Sequence, residues 1–275
     1  MPSTYWDESL AERYRRYHYD FPEKTLAGRT LVVAGGTGGL GSAVVALLAR
    51  EGARIIAGYR ANRQRADGFK RAIEEQFGAR LEFVAGDILD PAVRSGFLDA
   101  VKRTGRPLAG AAIFPGDPAR VAFDSLSREA IAASFESNFT GPLLLAKDLG
   151  AAMESTADGG NLVMVATMQA AAPFPSSVAY AAPKAALAHA ARVLAQRWNK
   201  VNVNIVAPGA TVTGMAEASV KSGKYDRYIS NGAIARFGKP EDVARAVRFF
   251  LEPGQYITGQ VLVVDGGLTI RRDRG

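Results

Sequence analysis

Residues 30–52 read TLVVAGGTGGLGSAVVALLAREG, and this run carries the strongest information about the architecture. Its β-rich start ends at Ala34, five glycines fall in the next seven residues, and an apolar helical pattern then continues to Gly52. RIIAG opens a second β-rich run at Arg54. Glycine permits unusual backbone conformations, and a helix N-terminus favours negative charge. A glycine-rich turn in a complete strand–helix–strand context therefore predicts a dinucleotide-binding unit.

The rest of the chain repeats this alternation of β-rich and helical patterns, which is typical of a parallel sheet covered on both faces. Strands are predicted at residues 30–34, 54–58, 81–85, 109–114, 161–166, 201–206 and 260–264. Helices are predicted near residues 40–50, 62–77, 91–103, 126–154, 177–199 and 240–251. The fold class is α/β, a single doubly wound Rossmann-type domain with a seven-stranded parallel sheet. We place this dinucleotide-binding catalytic domain at residues 29–275, after an N-terminal amphipathic extension at residues 1–28.

Composition excludes several kinds of site. Apolar residues make up 48% of the chain and charged residues 22%, as in ordinary globular proteins. The absence of cysteine excludes disulfides, thiolate nucleophiles and cysteine-based zinc sites, and it favours a cytoplasmic location. His18 and His189 are far apart in the sequence, so a zinc site or a histidine-based hydrolytic triad is not expected. We predict no metal.

The N-terminal extension places Trp6, Leu10, Tyr14 and Tyr17 at helical spacing. Its YRRYHY run and the net charge of +7 could indicate nucleic-acid binding, with steep dependence on salt. We favour a helix that packs on its own domain or on a neighbouring subunit, and we expect no nucleic-acid partner. The start lacks the basic-then-apolar order of a secretory signal, and the uncharged run at 31–49 is too rich in glycine for a membrane span.

The end of the second predicted strand indicates which dinucleotide is used. NAD-preferring sites usually carry an acid there, whereas this chain has Tyr59, followed by Arg60 and Arg63. Two cations and no carboxylate suit the 2′-phosphate of NADP(H) through charge-assisted contacts. A solvated basic start of a helix is the alternative. We predict NADP(H) as the cofactor.

The segment YAAPKAALAHAARVLAQRW begins at Tyr180 and contains the candidate catalytic pair. Tyr180 and Lys184 are four residues apart in a predicted helix and therefore share one face. A phenol titrates near pH ~10 in water, and an adjacent ammonium stabilises the phenolate. The pair is therefore suited to proton transfer.

At this point the chain resembles the short-chain dehydrogenase/reductase family over about residues 29–269. Besides the glycine turn and YAAPK, the resemblance includes Asp87, Asn138 and the segments VNIVAPGATVT, RFGKPEDVARAV and YITGQVLVVDGG. It implies that Asp87 lies at the adenine, that Thr213 lies near the nicotinamide carboxamide, and that Asn138 holds a water that relays protons past Lys184. The cofactor-binding set predicted on this basis is Gly35, Thr37, Gly38, Gly39, Leu40, Gly41, Tyr59, Arg60, Arg63, Asp87, Ile88, Phe114, Tyr180, Lys184, Gly209, Thr211 and Thr213.

The chain departs from the family pattern at three places. Thr167 stands where the family has its catalytic serine, 13 residues before the tyrosine, and its hydroxyl can still donate to a carbonyl oxygen. The usual Asn-Asn-Ala-Gly is replaced by Ile-Phe-Pro-Gly at 113–116, and Ala34 replaces the threonine that usually opens the glycine turn. We predict Asn138, Thr167, Tyr180 and Lys184 as the catalytic residues of a divergent but active enzyme.

The resemblance is closest to β-ketoacyl carrier-protein reductases and related ketoreductases. We predict hydride transfer between NADPH and a ketone or secondary alcohol, with a small-molecule carbonyl or alcohol substrate that carrier protein could deliver, and no membrane association. A non-catalytic NADP(H)-binding regulatory protein is the alternative. The segment 214–234 is predicted to be a lid, and His189 a surface or interface residue. Small residues at 126–154 and 177–199, with the final strand, predict a homotetramer built from two kinds of two-fold interface.

Overall fold

Seven strands form one parallel sheet in the computed structural model, which describes residues 7–17, 23–174 and 177–271. The strand order is β3-β2-β1-β4-β5-β6-β7. The strands are β1 (Thr30–Ala34), β2 (Arg54–Tyr59), β3 (Leu81–Ala85), β4 (Leu108–Ile113), β5 (Gly160–Val165), β6 (Val201–Pro208) and β7 (Val261–Val264). The predicted doubly wound sheet of seven strands is confirmed, with boundaries that differ by one or two residues.

Helices connect the strands and cover both faces of the sheet. They are α1 (Glu8–Arg15), α2 (Gly39–Arg50), α3 (Arg63–Phe77), α4 (Pro91–Arg103), α5 (Arg128–Phe135), α6 (Gly141–Glu154), α7 (Val178–Arg197), α8 (Glu217–Lys221), α9 (Asp226–Ser230), α10 (Pro240–Leu251) and α11 (Leu268–Arg271). None of these helices, which cover the described residues only, is both long and apolar enough to span a membrane.

Apolar side chains of the strands are buried on both faces, as expected for a sheet between two helical layers. One core joins the sheet to α4, α6 and α7 through residues such as Phe97, Leu149 and Leu187. The other core joins it to α2 and α10 through residues such as Leu48 and Phe250. The strands are thereby held rigidly, and their carboxyl ends form a fixed base for the loops that follow them.

The helix predicted near 126–154 is observed from Arg128 to Glu154, with a π-helical segment, Glu136–Thr140, between α5 and α6. Pro142 lies in the first turn of α6 and has no N–H, so it cannot donate to the carbonyl of Asn138 four residues earlier. The N–H of Gly141 instead bonds to the carbonyl of Glu136, five residues back. Such wide turns are frequent at functional sites, and this one contains Asn138.

Among the described residues of the N-terminal extension, α1 is the helix. Arg15 bonds to Glu8 at 2.6 Å and Arg16 to Glu12 at 3.0 Å, which are surface contacts of small energetic value. Tyr17 follows the end of α1 and is 82% exposed, so its predicted place on an apolar helical face is wrong. Trp6 and His18 lie outside the described residues, and packing of the extension stays a prediction.

Candidate active site

A cavity of about 870 Å³ opens at the carboxyl ends of the strands, beside the point where the strand order reverses between β1 and β4. Open α/β sheets usually bind their ligands at such a switch point. The predicted site residues that line this cavity are Gly35, Gly38, Gly39, Leu40, Gly41, Phe114, Thr167, Tyr180, Lys184, Gly209, Thr211 and Thr213. Gly35 and Thr213, which are 178 positions apart in sequence, therefore lie in the wall of one cavity. The family resemblance predicts that these residues come together.

The glycine turn between β1 and α2 leaves the start of the helix open to a ligand. Gly35 has a positive φ of 75°, and a Cβ at Gly39 would lie 2.5 Å from the backbone nitrogen of Gly214. Neither position accepts a side chain without strain. No side chain caps α2 at Gly38, and its first turn holds no acid. The positive helix end is thus available to a pyrophosphate, so these residues fit a dinucleotide.

Tyr180 lies in the first turns of α7 and faces the cavity. Burial raises the pKa of its phenol to about 12, and a side-chain hydrogen bond with Thr167 opposes this effect. Thr167 lies two residues after the end of β5, is 7% exposed, and also accepts a hydrogen bond from the N–H of Gln169 at 3.3 Å. Tyr180 therefore keeps its proton at neutral pH, as a proton donor must.

Lys184 follows one helical turn later and is almost completely buried. Its Nζ donates to the carbonyl of Val165 at 3.0 Å and to that of Pro115 at 3.4 Å. Burial lowers the pKa of Lys184 to about 8. A Cβ at Gly116 would lie 3.1 Å from Nζ, so the altered Ile-Phe-Pro-Gly segment keeps its glycine where the lysine needs space.

Asn138 links the π-helical segment to the loop after β4. It is fully buried, and its Nδ2 donates to the carbonyl of Asp117 at 2.9 Å while its Oδ1 accepts from the N–H of Asp117 at 3.0 Å. Its side chain is therefore occupied in holding this loop beside Lys184. The predicted role of Asn138 in retaining a water stays a prediction.

Pro183 explains a hydrogen bond that joins α5 to α7. Inside α7 this proline cannot donate to the carbonyl of Ala179, four residues earlier. The hydroxyl of Ser134 donates to that carbonyl instead, at 2.5 Å, and itself accepts from Asn138 at 3.1 Å. Because Ser134 is 3% exposed, water is not an available substitute. The turn that carries Tyr180 is thus fastened to the same network as the loop after β4.

Other predicted residues lie outside the cavity wall: Thr37, Tyr59, Arg60, Arg63, Asp87, Ile88 and Asn138. Ile88 is buried in the core, whereas Asp87 and Arg60 are exposed. The Nε of Arg63 lies 3.7 Å from Asp67. The assignments of these residues to the cofactor or to catalysis stay predictions.

The cavity wall also contains polar residues that the motifs do not indicate: Arg65, Arg120, Gln169, Lys224 and Tyr225. Asn62 caps α3 by accepting from the N–H of Arg65 at 2.9 Å, and the helix packs through Ala66 and Ile73. Arg65, rather than Arg63, lines the cavity in this arrangement. An Asn-capping signal in ANRQR could have suggested this register. Exposed His189 lies on the surface, as predicted.

The predicted lid at 214–234 begins as a short 3-10 turn, Gly214–Ala216, and continues through α8 and α9. Tyr225 and Tyr228 are buried with Met168 and Ala210 in a small separate core. Tyr225 also hydrogen-bonds to Gln169, and burial raises the pKa of its phenol. This segment forms one side of the cavity.

Comparisons with known proteins agree with this fold. The family profile described as Enoyl-(Acyl carrier protein) reductase matches residues 34–269. A human 3-oxoacyl-[acyl-carrier-protein] reductase is 33% identical over 248 residues, covering 88% of this chain and 98% of that protein. NADPH-dependent aldehyde reductase 2, chloroplastic, of Arabidopsis thaliana is 27% identical over 263 residues, covering 90% of this chain and 96% of its own length.

A solved structure of a short-chain type dehydrogenase/reductase from Mycobacterium ulcerans has a TM-score of 0.83 to this chain at 26% identity. The match covers 90% of this chain and 91% of the other. The family profile matches most of the sequence and the solved structure has the same fold, so the predicted resemblance is confirmed. The chain belongs to the short-chain dehydrogenase/reductase family, whose members are oxidoreductases that use nicotinamide dinucleotides.

Proposed function

We propose that this oxidoreductase transfers hydride between NADPH and the carbonyl carbon of a ketone, or in reverse from a secondary alcohol. One observation carries this proposal: Thr167, Tyr180 and Lys184 lie in the wall of a single cavity that also contains the glycine turn. A proton donor, a hydroxyl and a cation beside a dinucleotide site form the set that carbonyl reduction requires.

The glycine turn and the start of α2 would hold the pyrophosphate, and basic residues after β2 would hold the 2′-phosphate. Arg65 lines the cavity, and Arg60 and Arg63 lie nearby in sequence, with no carboxylate at the end of β2. Arginine binds phosphate through paired hydrogen bonds, which supports NADP(H) over NAD(H). A relative named as NADPH-dependent supports the same choice. When bound, this cofactor supplies or accepts the hydride.

Each side chain has a separate task at the carbonyl group. Tyr180 donates its proton to the oxygen, since its raised pKa keeps the phenol protonated. Thr167 donates a hydrogen bond to the same oxygen as negative charge develops there. Lys184, in its protonated form, stabilises the phenolate that proton donation leaves behind. Its two carbonyl partners hold the ammonium in position.

Residues 29–275 are proposed as the catalytic unit, with the preceding extension appended to it, in a cytoplasmic homotetramer. Large apolar side chains are exposed on the elements expected to meet across two-fold axes: Ile131 on α5 (42%), Val193 on α7 (52%) and Leu262 on β7 (38%). Exposed apolar surface favours association. A small carbonyl compound, free or attached to a carrier protein, is the proposed substrate. Light scattering measures the assembly directly.

The test follows NADPH oxidation against a panel of ketones with the wild-type protein and with Tyr180→Phe. We expect turnover to be lost in Tyr180→Phe while NADPH still binds, because the change removes the proton and little else. Thr167→Ser is expected to remain active and Thr167→Val to be inactive. NADH should bind more weakly than NADPH, and Arg65→Gln should reduce that difference. Full turnover by Tyr180→Phe, or no turnover of any carbonyl by a folded NADPH complex, would contradict the proposal.

A further inference from the structure

The charge of the cavity wall is strongly asymmetric. Four basic side chains line it, Arg65, Arg120, Lys184 and Lys224, against one acidic side chain, Glu217. Glu217 is paired with Lys221 on its own helix at 2.6 Å. Its pKa is lowered mainly by this hydrogen bond, and weakly by Arg65. The wall therefore carries an excess of positive charge.

Two of these cations already have a function in the proposed reaction. Lys184 is buried beside Tyr180, and Arg65 lies on α3 at the end of the cavity assigned to the 2′-phosphate. Arg120 and Lys224 remain, on the loop after β4 and on the lid. Within the described residues, neither of them forms an ion pair with an acid. Asp117 is the nearby acid in sequence; its charge contributes weakly to the raised pKa of Tyr180, but its side chain does not line the cavity.

The loop that carries Arg120 is held in a specific conformation. Asn138 binds both the N–H and the carbonyl of Asp117, and the carboxylate of Asp117 accepts from the N–H of Ala119 at 2.8 Å. Ala119 has a φ of +40°, in a region that non-glycine residues rarely occupy. Strain of this kind persists where the surrounding contacts enforce it. Arg120 is exposed, and this loop conformation places it in the wall of the cavity opening.

Arg120 also reaches across the cavity opening to the lid. One of its terminal nitrogens, Nη2, donates to the carbonyl of Met215 at 3.1 Å. A guanidinium has five N–H donors in one plane, so this single contact leaves donors for a ligand. Lys224 adds a second positive charge from the same lid, 5.8 Å from the ring of Tyr225. Lys224 and Tyr225 line the same cavity as Tyr180.

From this arrangement we propose that the substrate carries an anionic oxygen group, a carboxylate or a phosphate, in addition to its carbonyl group, and that Arg120 binds it. Arginine recognises both groups through paired, charge-assisted hydrogen bonds. Lys224 increases the attraction as a point charge. The inference rests on the proposed function, since it concerns the substrate of that same cavity. It makes Arg120 a specificity-determining residue that links substrate binding to the lid.

The kinetic test compares matched substrates in the same assay: 3-oxo acids against their methyl esters, and dihydroxyacetone phosphate against dihydroxyacetone. We expect the wild-type protein to prefer the charged member of at least one pair. A preference within the 3-oxo acid pair identifies the anionic group as a carboxylate, and a preference within the dihydroxyacetone pair identifies it as a phosphate. In Arg120→Gln, kcat/KM for the charged substrate should fall about tenfold or more, and that for its neutral partner should change little. Both members of a pair lose the lid contact equally in this variant, so the ratio of their kcat/KM values isolates the contribution of the charge.

Arg80→Gln is the matched control, because Arg80 is exposed and precedes β3 at the edge of the sheet opposite the cavity. Arg80→Gln should leave the ratio of kcat/KM for the charged substrate to kcat/KM for its neutral partner unchanged in every pair. An equal loss for both members of a pair in Arg120→Gln would make Arg120 a lid contact only and would overturn the inference. A preference of the wild-type protein for the neutral member of both pairs would also overturn the inference.

A binding measurement keeps the test independent of turnover. The protein with bound NADPH is titrated with butanoate to octanoate and with the matching carboxamides, and with phenyl phosphate against phenol. Quenching of cofactor fluorescence reports the Kd. We expect one anion series to bind more tightly than its neutral series, and Arg120→Gln to abolish the difference. If NADPH binds and anions show no advantage, the inference fails although the proposed function stands; if no carbonyl is reduced while anions do bind, the proposed function fails instead.

Discussion

The variant Lys184→Met measures how burial of a charged catalytic group affects the stability of the protein. Methionine keeps an unbranched side chain and removes the charge. In the folded protein burial lowers the pKa of Lys184 from 10.5 to about 8. The unfolded chain therefore binds more protons than the folded one between these two values. For this group, stability must rise as pH increases from about 8 towards 10.5.

The magnitude follows from the size of the pKa shift. Keeping Lys184 protonated in its buried position costs about 3 kcal/mol of folding free energy at neutral pH. The hydrogen bonds to Val165 and Pro115 offset part of this, at roughly 1 kcal/mol each. We expect Lys184→Met to be at least as stable as the parent at about pH 6.5. Between about pH 6.5 and about pH 9.5, the parent should gain about 2 kcal/mol relative to the variant.

The assay is urea unfolding of the two proteins across this pH range, without cofactor. Both carry Tyr180→Phe, because the phenol titrates nearby and would add its own dependence on pH. Subtracting the two unfolding free energies cancels the contributions of all other titrating groups. The reasoning would be refuted if the difference in unfolding free energy did not depend on pH, or if the parent lost stability relative to the variant as pH rises. In the Tyr180 background, Lys184→Met should also lose turnover.

Three further expectations follow from the same contacts. Gly116→Ala should reduce turnover strongly with little effect on NADPH binding, since its methyl group would lie 2.7 Å from Oδ1 of Asn138 and 3.1 Å from Nζ of Lys184; a fully active variant would show that both side chains have room to move. Ser134→Ala should lower the free energy of unfolding by about 1–3 kcal/mol and slow turnover, because a buried carbonyl of α7 loses its donor. Ser155→Ala, which removes an exposed hydroxyl bonded to the carbonyl of Ala152 at the end of α6, is the control. The reductive rate should fall as pH rises through about 8, where Lys184 loses its positive charge, and a profile that is flat to pH ~10 would contradict this.

Much of the architecture was predictable because the signals for it are local. Strand and helix patterns have short periods, and a glycine turn between them has few conformations that fit, so the positions of the strands and the α2 start followed from residues 30–58 and their repeats. Tyr180 and Lys184 were predictable for the same reason, since four-residue spacing on a helix places both on one face. Thr167 was found through the family resemblance, not through its spacing.

The remaining features depend on contacts between distant segments. The cavity wall contains Arg65 and not the predicted Arg63, because α3 packs on the sheet through Ala66 and Ile73, and the basic run alone does not reveal this packing. The bond from Ser134 to the Ala179 carbonyl joins positions 45 residues apart, and it exists because Pro183 leaves that carbonyl without a helical donor. Periodicity reports which face of an element is buried, whereas packing determines what that face meets.

The charge of the cavity wall also depends on the tertiary structure and not on the local sequence. A net charge of +7 is a property of composition and is compatible with many partners. Its concentration at Arg120 and Lys224 arises only when the loop after β4 and the lid come together over the sheet. Local sequence thus determined the elements and the proton-transfer pair, while the folded chain determined which cations face the substrate, because electrostatic recognition depends on distances in space rather than on order along the chain.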